Sequence, residues 1–475
     1  MSEPAQPSPT DPHGKAFAIN IDPTKYGALA EIGAGQEVAR WFFRVGGASS
    51  GIAKTMSAYD MEVSDAIYGP GKRYVSRQRL EAMLDHEFPL LIDRLDKSRG
   101  ESTTFFAFAD TVTATSYSRK QDGDAWLGIR FQTKPRAEPS QIIIHARLLD
   151  PDNLPQQEAI GILGVNLIHA AMFHFDQPFR LLDRLIENIN PGRAEVDMIE
   201  FSGPSFSGVD NRLMALHLVK RGLTSAAMFL ANGTVVQPSD ILYKKALLIE
   251  RGSFRPVTNV TENMLKNAKA MFVKEARVAG DEIEMLMEMT LKNLADGKDI
   301  DHEDFLDRAD LLGALGHNVL ISNFGEFHKL AAYLFRYTKK MIGVVMGIPT
   351  LRELFDEKFY SSLEGGILES FGRLFKNDLK LYAYPWRDPA TGELIAADNL
   401  QVAPHLRHLY AYLAENQFIA GINSFDEDCL PIYSWEVLAK IRKGDSAWEK
   451  QVPPRVAEII KERQLFDYLP ESIKI

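Results

Sequence analysis

Residues 246–272 read ALLIERGSFRPVTNVTENMLKNAKAMF. The apolar run Ala246–Glu250 is typical of a buried strand, and Glu262–Phe272 repeats apolar residues at helical spacing. Between them, Gly252 allows the backbone to turn sharply and approach a ligand, and Pro256 stiffens the loop. The segment therefore predicts a strand, a loop and a helix whose first amides can face a phosphate.

Five further strand-like segments alternate with helical stretches in the same way. They are Val196–Phe201, Ser225–Leu230, Asn318–Ser322, Ile342–Met346 and Leu379–Tyr384. The alternation favours a mostly parallel, Rossmann-like α/β sheet with helices on both faces. Ligands of such sheets bind outside the carboxyl ends of the strands, so we expect the chemistry in the strand-to-helix loops.

The first third of the chain has a different pattern. Two helical stretches, Ala28–Arg44 and Val75–Leu95, precede three β-like segments at Thr103–Tyr117, Ala125–Thr133 and Gln141–Leu149. The Asp-Gly pair within residues 121–124 is a good hairpin turn. This pattern predicts an α+β N-terminal domain with an antiparallel meander.

The domain order follows from these segments and from a Pro-Gly break at Pro191 and Gly192. We expect a disordered tail over residues 1–15 and the α+β domain over 16–190. The Rossmann-like α/β domain is expected over 191–425, followed by a C-terminal helical extension over 426–475.

The composition narrows the classes of function. The 475 residues contain 54 Lys plus Arg and 64 Asp plus Glu, so the formal net charge is −10. Such an acidic body repels phosphate backbones and anionic lipid, which argues against nucleic-acid and membrane-surface partners. The single cysteine, Cys429, excludes an internal disulfide, and no segment has the pattern of a signal peptide or membrane helix. We therefore expect a cytoplasmic protein.

The loop Gly252–Asn259 resembles the first signature of the nicotinate/nicotinamide mononucleotide adenylyltransferases, in which Gly-Ser-Phe-x-Pro-x-Thr-Asn ends a strand. That family places a histidine two residues beyond the Asn, where this chain has Thr261. Its second signature, Ile-Ser-Ser-Thr-x-x-Arg, is nearest to Ile321–Phe327, with Phe327 in the arginine position. The resemblance implies adenylyl transfer from ATP, with Mg²⁺, to a nicotinate or nicotinamide mononucleotide-like acceptor.

The whole chain also resembles a bacterial family of proteins of similar length, some labelled as this adenylyltransferase and others as a TonB-dependent receptor. The segments Glu31–Tyr68 and Val402–Leu409 carry this second resemblance. The receptor label conflicts with the lack of a barrel pattern.

Two other loops contain small residues that can approach a phosphate. Ser202–Gly208 (SGPSFSG) follows a predicted strand, and its backbone amides can hold an anion. Gly46–Thr55 ends in Lys-Thr like a P-loop but has Ala53 before Lys54, so it is more simply a turn. The predicted nucleotide-binding residues are Gly252, Ser253, Phe254, Arg255, Thr258, Asn259, Ser202, Gly203 and Ser205.

Other chemistry-bearing residues are better explained as structure. His405 and His408 lie three apart without a completing carboxylate, and Asp299–Asp310 lacks the spacing of a calcium loop. Cys429 lies in an acidic loop, which raises a thiol pKa. The sequence identifies neither a metal site nor a catalytic residue.

Two hypotheses of function remain open. In the first, the protein is a nucleotidyltransferase whose lysines and arginines near Gly252 (Lys244, Lys245, Arg251 and Arg255) assist Mg²⁺ in neutralising the phosphates. In the second, it is a non-catalytic scaffold that senses a nucleotide or forms oligomers. The expected partner is a small-molecule nucleotide, with a homo-oligomer as an open alternative.

Overall fold

The computed structural model describes residues 10–115, 123–295, 297 and 299–470. The chain divides into two compact units, with the division after Thr224. Both contain helices together with parallel and antiparallel strands, so a mixed α/β fold is confirmed. No helix in the described ranges is long and apolar enough to cross a membrane.

The first unit contains six strands and eight α-helices in its described part. In chain order they are α1 (Pro12–Ile21), β1 (Lys25–Gly33), α2 (Glu37–Arg44), α3 (Ala48–Gly51), β2 (Ile52–Ser57), α4 (Met61–Tyr68), α5 (Arg77–Arg99), β3 (Thr104–Thr113), β4 (Gly123–Phe131), β5 (Ser140–Leu148), α6 (Asn153–His174), α7 (Pro178–Leu185), β6 (Ala194–Ser202) and α8 (Asn211–Lys220).

One sheet holds this unit together, in the order β2-β1-β3-β4-β5-β6. Strands β2, β1 and β3 are parallel, and β3 to β6 form an antiparallel meander. The meander is as predicted, although residues 121 and 122 of the hairpin turn lie outside the described residues. The core on one sheet face includes the almost fully buried helix α6.

Three sequence predictions for this unit need correction. The helix expected over Ala28–Arg44 is a strand followed by a short helix. Strand β1 lies between β2 and β3 and is buried on both faces, so it lacks the alternation that marks a half-exposed strand. The tail expected over residues 1–15 is already helical from Pro12, because Asp11 caps α1 and Lys15 is buried against Asn166 and Glu187. Residues 1–9 lie outside the described part.

The third correction concerns the domain boundary. Strand β6 pairs antiparallel with β5, with Ile144 opposite Ile199, and so completes the first sheet. The break at Pro191–Gly192 is only the connection that leads into this strand. The boundary expected after residue 190 therefore moves to Thr224, after β6 and α8.

The second unit contains the remaining strands and helices. They are β7 (Ala226–Phe229), β8 (Val235–Val236), α9 (Pro238–Leu242), β9 (Ala246–Arg251), α10 (Asn259–Phe272), β10 (Ile283–Thr290), α11 (Leu291–Ala295), α12 (His302–Ala314), β11 (Asn318–Ser322), α13 (Phe327–Leu334), β12 (Ile342–Gly347), α14 (Ile348–Leu354), α15 (Gly366–Leu374), β13 (Leu379–Tyr384), β14 (Trp386–Arg387), β15 (Leu394–Ile395), α16 (Arg407–Glu415), β16 (Ile419–Gly421), α17 (Ser434–Lys443) and α18 (Pro454–Arg463).

The main sheet of this unit has the order β16-β13-β12-β9-β10-β11-β7-β8. The strands from β16 to β11 are parallel, whereas β7 and β8 pair antiparallel at one edge. The carboxyl ends of the parallel strands consequently lie along one edge of the sheet. The segment predicted as a C-terminal extension over 426–475 belongs to the same compact unit, which includes α17 and α18.

Candidate functional site

The loop from Gly252 to Thr258 joins β9 to α10 at the carboxyl edge of the second sheet, as the sequence predicts. The amide of Gly252 donates to the carbonyl of Glu288, 3.1 Å away. A Cβ at Gly252 would lie only 2.8 Å from the ring of Phe254, which is 4% exposed. Phe254 therefore fills the inside of the loop, and Gly252 is needed for the close approach of its ring.

A buried ion pair ties this loop to the neighbouring strands. Glu288, fully buried on β10, accepts bonds of 2.8 and 3.0 Å from Arg251 and one of 2.6 Å from the hydroxyl of Ser322. Arg251 also donates to the carbonyl of Gly325 at 3.1 Å. The loops after β9 and β11, both singled out from the sequence, are thus brought together in one polar network.

Helix α12 holds the other side of the loop. Arg308 donates to the carbonyls of Ser253 and Asn293 at 3.1 and 3.0 Å. Asp304 forms ion pairs with both Arg308 and Arg255, the latter at 2.6 Å. Arg251 at the end of β9 and Arg255 in the loop therefore already face carboxylates.

No side chain in the described part of the chain caps the first turn of α10. Thr258 is its N-cap residue, but its side chain accepts no capping hydrogen bond from the described backbone. Its hydroxyl lies 3.5 Å from that of Thr261, and both threonines are buried. Asn259 donates instead to the carbonyl of Lys450 at 2.9 Å. The first amides of α10 are consequently available to an anion.

The position of the family's second signature also has a structural explanation. The buried hydroxyl of Ser322 donates to Glu288, and Phe327 occupies the position where that signature has arginine. The guanidinium of Arg251 lies 4.2 Å from the centre of the Phe327 ring. The residue at 327 therefore supports Arg251 through a cation–π contact and supplies no charge of its own.

The structure also has a groove along α10, which was not predicted from the sequence. Its volume is about 670 Å³, and polar residues spaced three or four apart on the helix line it, namely Asn259, Glu262, Asn263, Lys266 and Lys269. Glu262 pairs with His317 at 2.7 Å. On the adjacent strand, burial and the charge of Glu262 raise the pKa of Glu250. The polar stripe at helical spacing is the signal that could have revealed this groove.

The loop Ser202–Gly208 lies in the first unit and not beside a parallel sheet. It follows β6, which is an edge strand antiparallel to β5. Ser205 donates its amide to the hydroxyl of Ser140 at 3.0 Å, and a Cβ at Gly203 would lie 2.7 Å from the Cα of Ser140. The expectation that Ser202, Gly203 and Ser205 follow a strand of the parallel sheet is therefore wrong, because β6 completes the meander.

The remaining candidates have structural partners. Lys54 bonds Glu87, and His405 bonds Glu357 at 2.6 Å. No group of three metal-ligating side chains occurs in the residues that the structure describes. Burial and the neighbouring aspartates raise the pKa of the Cys429 thiol.

No family model matches the chain, and no curated protein matches it significantly. Among solved structures, the competence/damage-inducible protein CihA from Agrobacterium tumefaciens has 18% identity and a TM-score of 0.25, over 35% of this chain and 98% of its own. A competence-damaged (CinA) superfamily protein from Enterobacter cloacae has 12% identity and a TM-score of 0.25, over 36% and 98%. Similarity at this level carries no inference about function.

Proposed function

We propose that the second unit has a Rossmann-like fold that binds a nucleotide at the carboxyl edge of its sheet. Numbered from β9 along the chain, its parallel strands stand in the order 6-5-4-1-2-3, the order of the doubly wound dinucleotide-binding sheets. The order reverses between β9 and β12, and ligands of such sheets bind at the reversal.

The observation that carries this proposal is the position of the Gly252 loop. It follows β9, the first strand, directly beside the reversal, and leads into α10 with first amides that no side chain within the described ranges caps. A phosphate at this position would accept from those amides and interact favourably with the helix dipole. The residues that would surround this phosphate are Gly252, Ser253, Thr258 and Asn259. The buried Phe254 ring supports the loop from within.

The reaction proposed for such a site is adenylyl transfer from ATP, with Mg²⁺, to a nicotinate or nicotinamide mononucleotide-like acceptor. It requires mainly positioning and neutralisation of phosphate charge. The loop's resemblance to the adenylyltransferase signature supports this choice.

A second candidate function is nucleotide sensing without turnover. The ion pairs Arg251–Glu288 and Arg255–Asp304 favour it, because arginines held by carboxylates offer less charge to a triphosphate. Thr261 likewise contributes a neutral hydroxyl.

Calorimetric titration with ATP and Mg²⁺, alongside a coupled assay for dinucleotide formation, separates these functions. Binding with turnover supports the transferase, and binding alone supports the sensor. The variant Gly252→Val places a branched side chain against Phe254 and should abolish binding. Gly372→Val is the matched control, because nothing lies within 4 Å of a Cβ there. Absence of ATP binding by the wild type, or equal binding by Gly252→Val, contradicts the proposal.

A further inference from the structure

A cleft in the first unit lies at the carboxyl edge of its three parallel strands. Its volume is about 480 Å³, and it runs between α2 and the end of β2. Gln36 and Ser57 both line it, and the Gln36 side chain donates to the hydroxyl of Ser57 at 2.9 Å. Strand β1 lies between β2 and β3, which follow it in the chain, so the strand order changes direction at this point. This is the place where open α/β sheets bind ligands.

One carboxyl group lines the cleft and a second lies buried beside it. Glu31 on β1 lines it, and Asp110 on β3 lies directly opposite Glu31 in the strand register. Glu31 accepts from the amides of Val38 and Ala39 at 3.0 and 3.3 Å. Asp110 is 0% exposed, and no side chain in the described part of the chain donates a hydrogen bond to it.

This pair lacks a compensating cation among its described neighbours. Burial raises the pKa of Glu31 to about 8, and burial together with the charge of Glu31 raises the pKa of Asp110. Buried carboxylates without a positive partner are costly, and a cation brought to them is correspondingly stabilised.

The wall of the cleft has the opposite charge. Arg40 and Arg44 lie one helical turn apart on α2 and both line it. Arg40 pairs with Glu37 at 3.0 Å, whereas Arg44 makes no ion pair within the described part of the chain. Arg40 points towards the N-terminal end of α2, where its partner Glu37 lies and where Glu31 accepts from the helix amides.

We propose that this cleft binds a small zwitterion, an α-amino acid, with its ammonium group on Glu31 and its carboxylate on Arg44. The ammonium group supplies the cation that the carboxyl pair lacks, and the guanidinium matches the carboxylate in geometry and charge. Phe43 and Met56 provide apolar surface for the ligand's side chain. This site is separate from the nucleotide proposal, since all its residues belong to the first unit.

The test is calorimetry of the full-length protein with each of the twenty amino acids in turn. The amino acid that binds most tightly is then compared with its N-acetyl derivative, which lacks the ammonium group, and its decarboxylated amine, which lacks the carboxylate. We expect each derivative to bind at least about tenfold more weakly, the effect of losing one charged hydrogen bond. Equal binding of either derivative, or no binding of any amino acid, overturns the proposal.

Two variants test which residue binds the ammonium group and which binds the carboxylate. Glu31→Gln and Arg44→Gln should each weaken binding at least about tenfold. Arg94→Gln on α5 is the control, because Arg94 is exposed and lies outside the cleft. Arg44→Gln removes a surface side chain and leaves the buried pair intact, so the test remains decisive if Glu31→Gln unfolds. Unchanged affinity of Arg44→Gln overturns the carboxylate assignment and with it the proposal.

Discussion

His145 on β5 is buried between two carboxylates. Its Nδ1 lies 2.5 Å from Asp197 and its Nε2 lies 2.6 Å from Asp124, so carboxylates face both ring nitrogens. Burial alone would lower the pKa of His145, but the charge of Asp197 and the hydrogen bonds with both aspartates raise it to about 10. The imidazolium thus links β4, β5 and β6.

We expect this linkage to weaken in alkaline solution. Because the folded pKa of about 10 exceeds the unfolded value of 6.5, the stabilisation is complete below pH 6.5 and is lost as the pH rises towards 10. The urea midpoint of the first unit, followed from pH 6 to 10, should fall over this range. In His145→Gln the midpoint should be lower at pH 6 and should fall less steeply than in the wild type. Some slope remains because Glu31, whose pKa burial raises to about 8, still titrates in this unit. The exposed His408→Gln should retain the wild-type slope. A wild-type slope in His145→Gln contradicts the assignment.

For single residues of the candidate site, some positions could be predicted from the sequence and others could not. Gly252 and the loop position followed from local pattern, because a glycine turn and a helix start are local properties. The role of Phe327 did not, since it depends on a contact with Arg251, which lies far from it in sequence. The position of the Phe254 ring inside the loop depends on the folded path of the loop. Glu31 and Asp110 are 79 positions apart, and only the strand register brings them together.

Among helices and strands, those with a clear period or a bounded apolar run were predictable, whereas the pairing partner of a strand was not. Helix α5 and strands β3 to β5 follow their patterns closely. Strand β1 was read as helix because both its faces are covered, and β6 was assigned to the wrong sheet because pairing partners leave no local signal.

The first turn of helix α12 is linked to the Gly252 loop through Asp304. Asp301 caps α12 by accepting from the amides of Glu303 and Asp304 at 2.9 and 3.3 Å. Asp304 in turn holds Arg255 and Arg308. Asp301→Ala should cost about 1 kcal/mol of stability and increase hydrogen exchange in residues 252–258.

Helix α5 supplies the matched control. Ser76 caps it by accepting from the amide of Arg79 at 3.2 Å, so Ser76→Ala removes a comparable cap in the other unit. Its stability loss should be similar, while exchange in the Gly252 loop stays unchanged. Equal exchange in that loop for wild type and Asp301→Ala would show that α12 does not hold it.

At the scale of the whole molecule, each unit has a sheet and a hydrophobic core of its own. The first core extends from Ala16 to Leu223 and the second from Ala226 to Ile419. Net charge and length indicated a multidomain acidic protein but contained no information about where β6 pairs. The division after Thr224 is therefore a structural result, and it can be tested by cutting the chain.

The fragment 1–224 should fold alone, and the fragment 1–190 should not. The shorter fragment loses β6 and α8, whose Val196, Ile199, Phe201 and Leu218 are part of the first core. It also exposes the edge of β5 and leaves His145 without Asp197, so its buried polar and apolar groups both lose partners. Circular dichroism melts and hydrogen exchange should show a cooperative transition for 1–224 and none for 1–190. A cooperative melt of 1–190 at the temperature of 1–224 would mean that β6 is dispensable to the first unit and would return the boundary to the Pro191–Gly192 break.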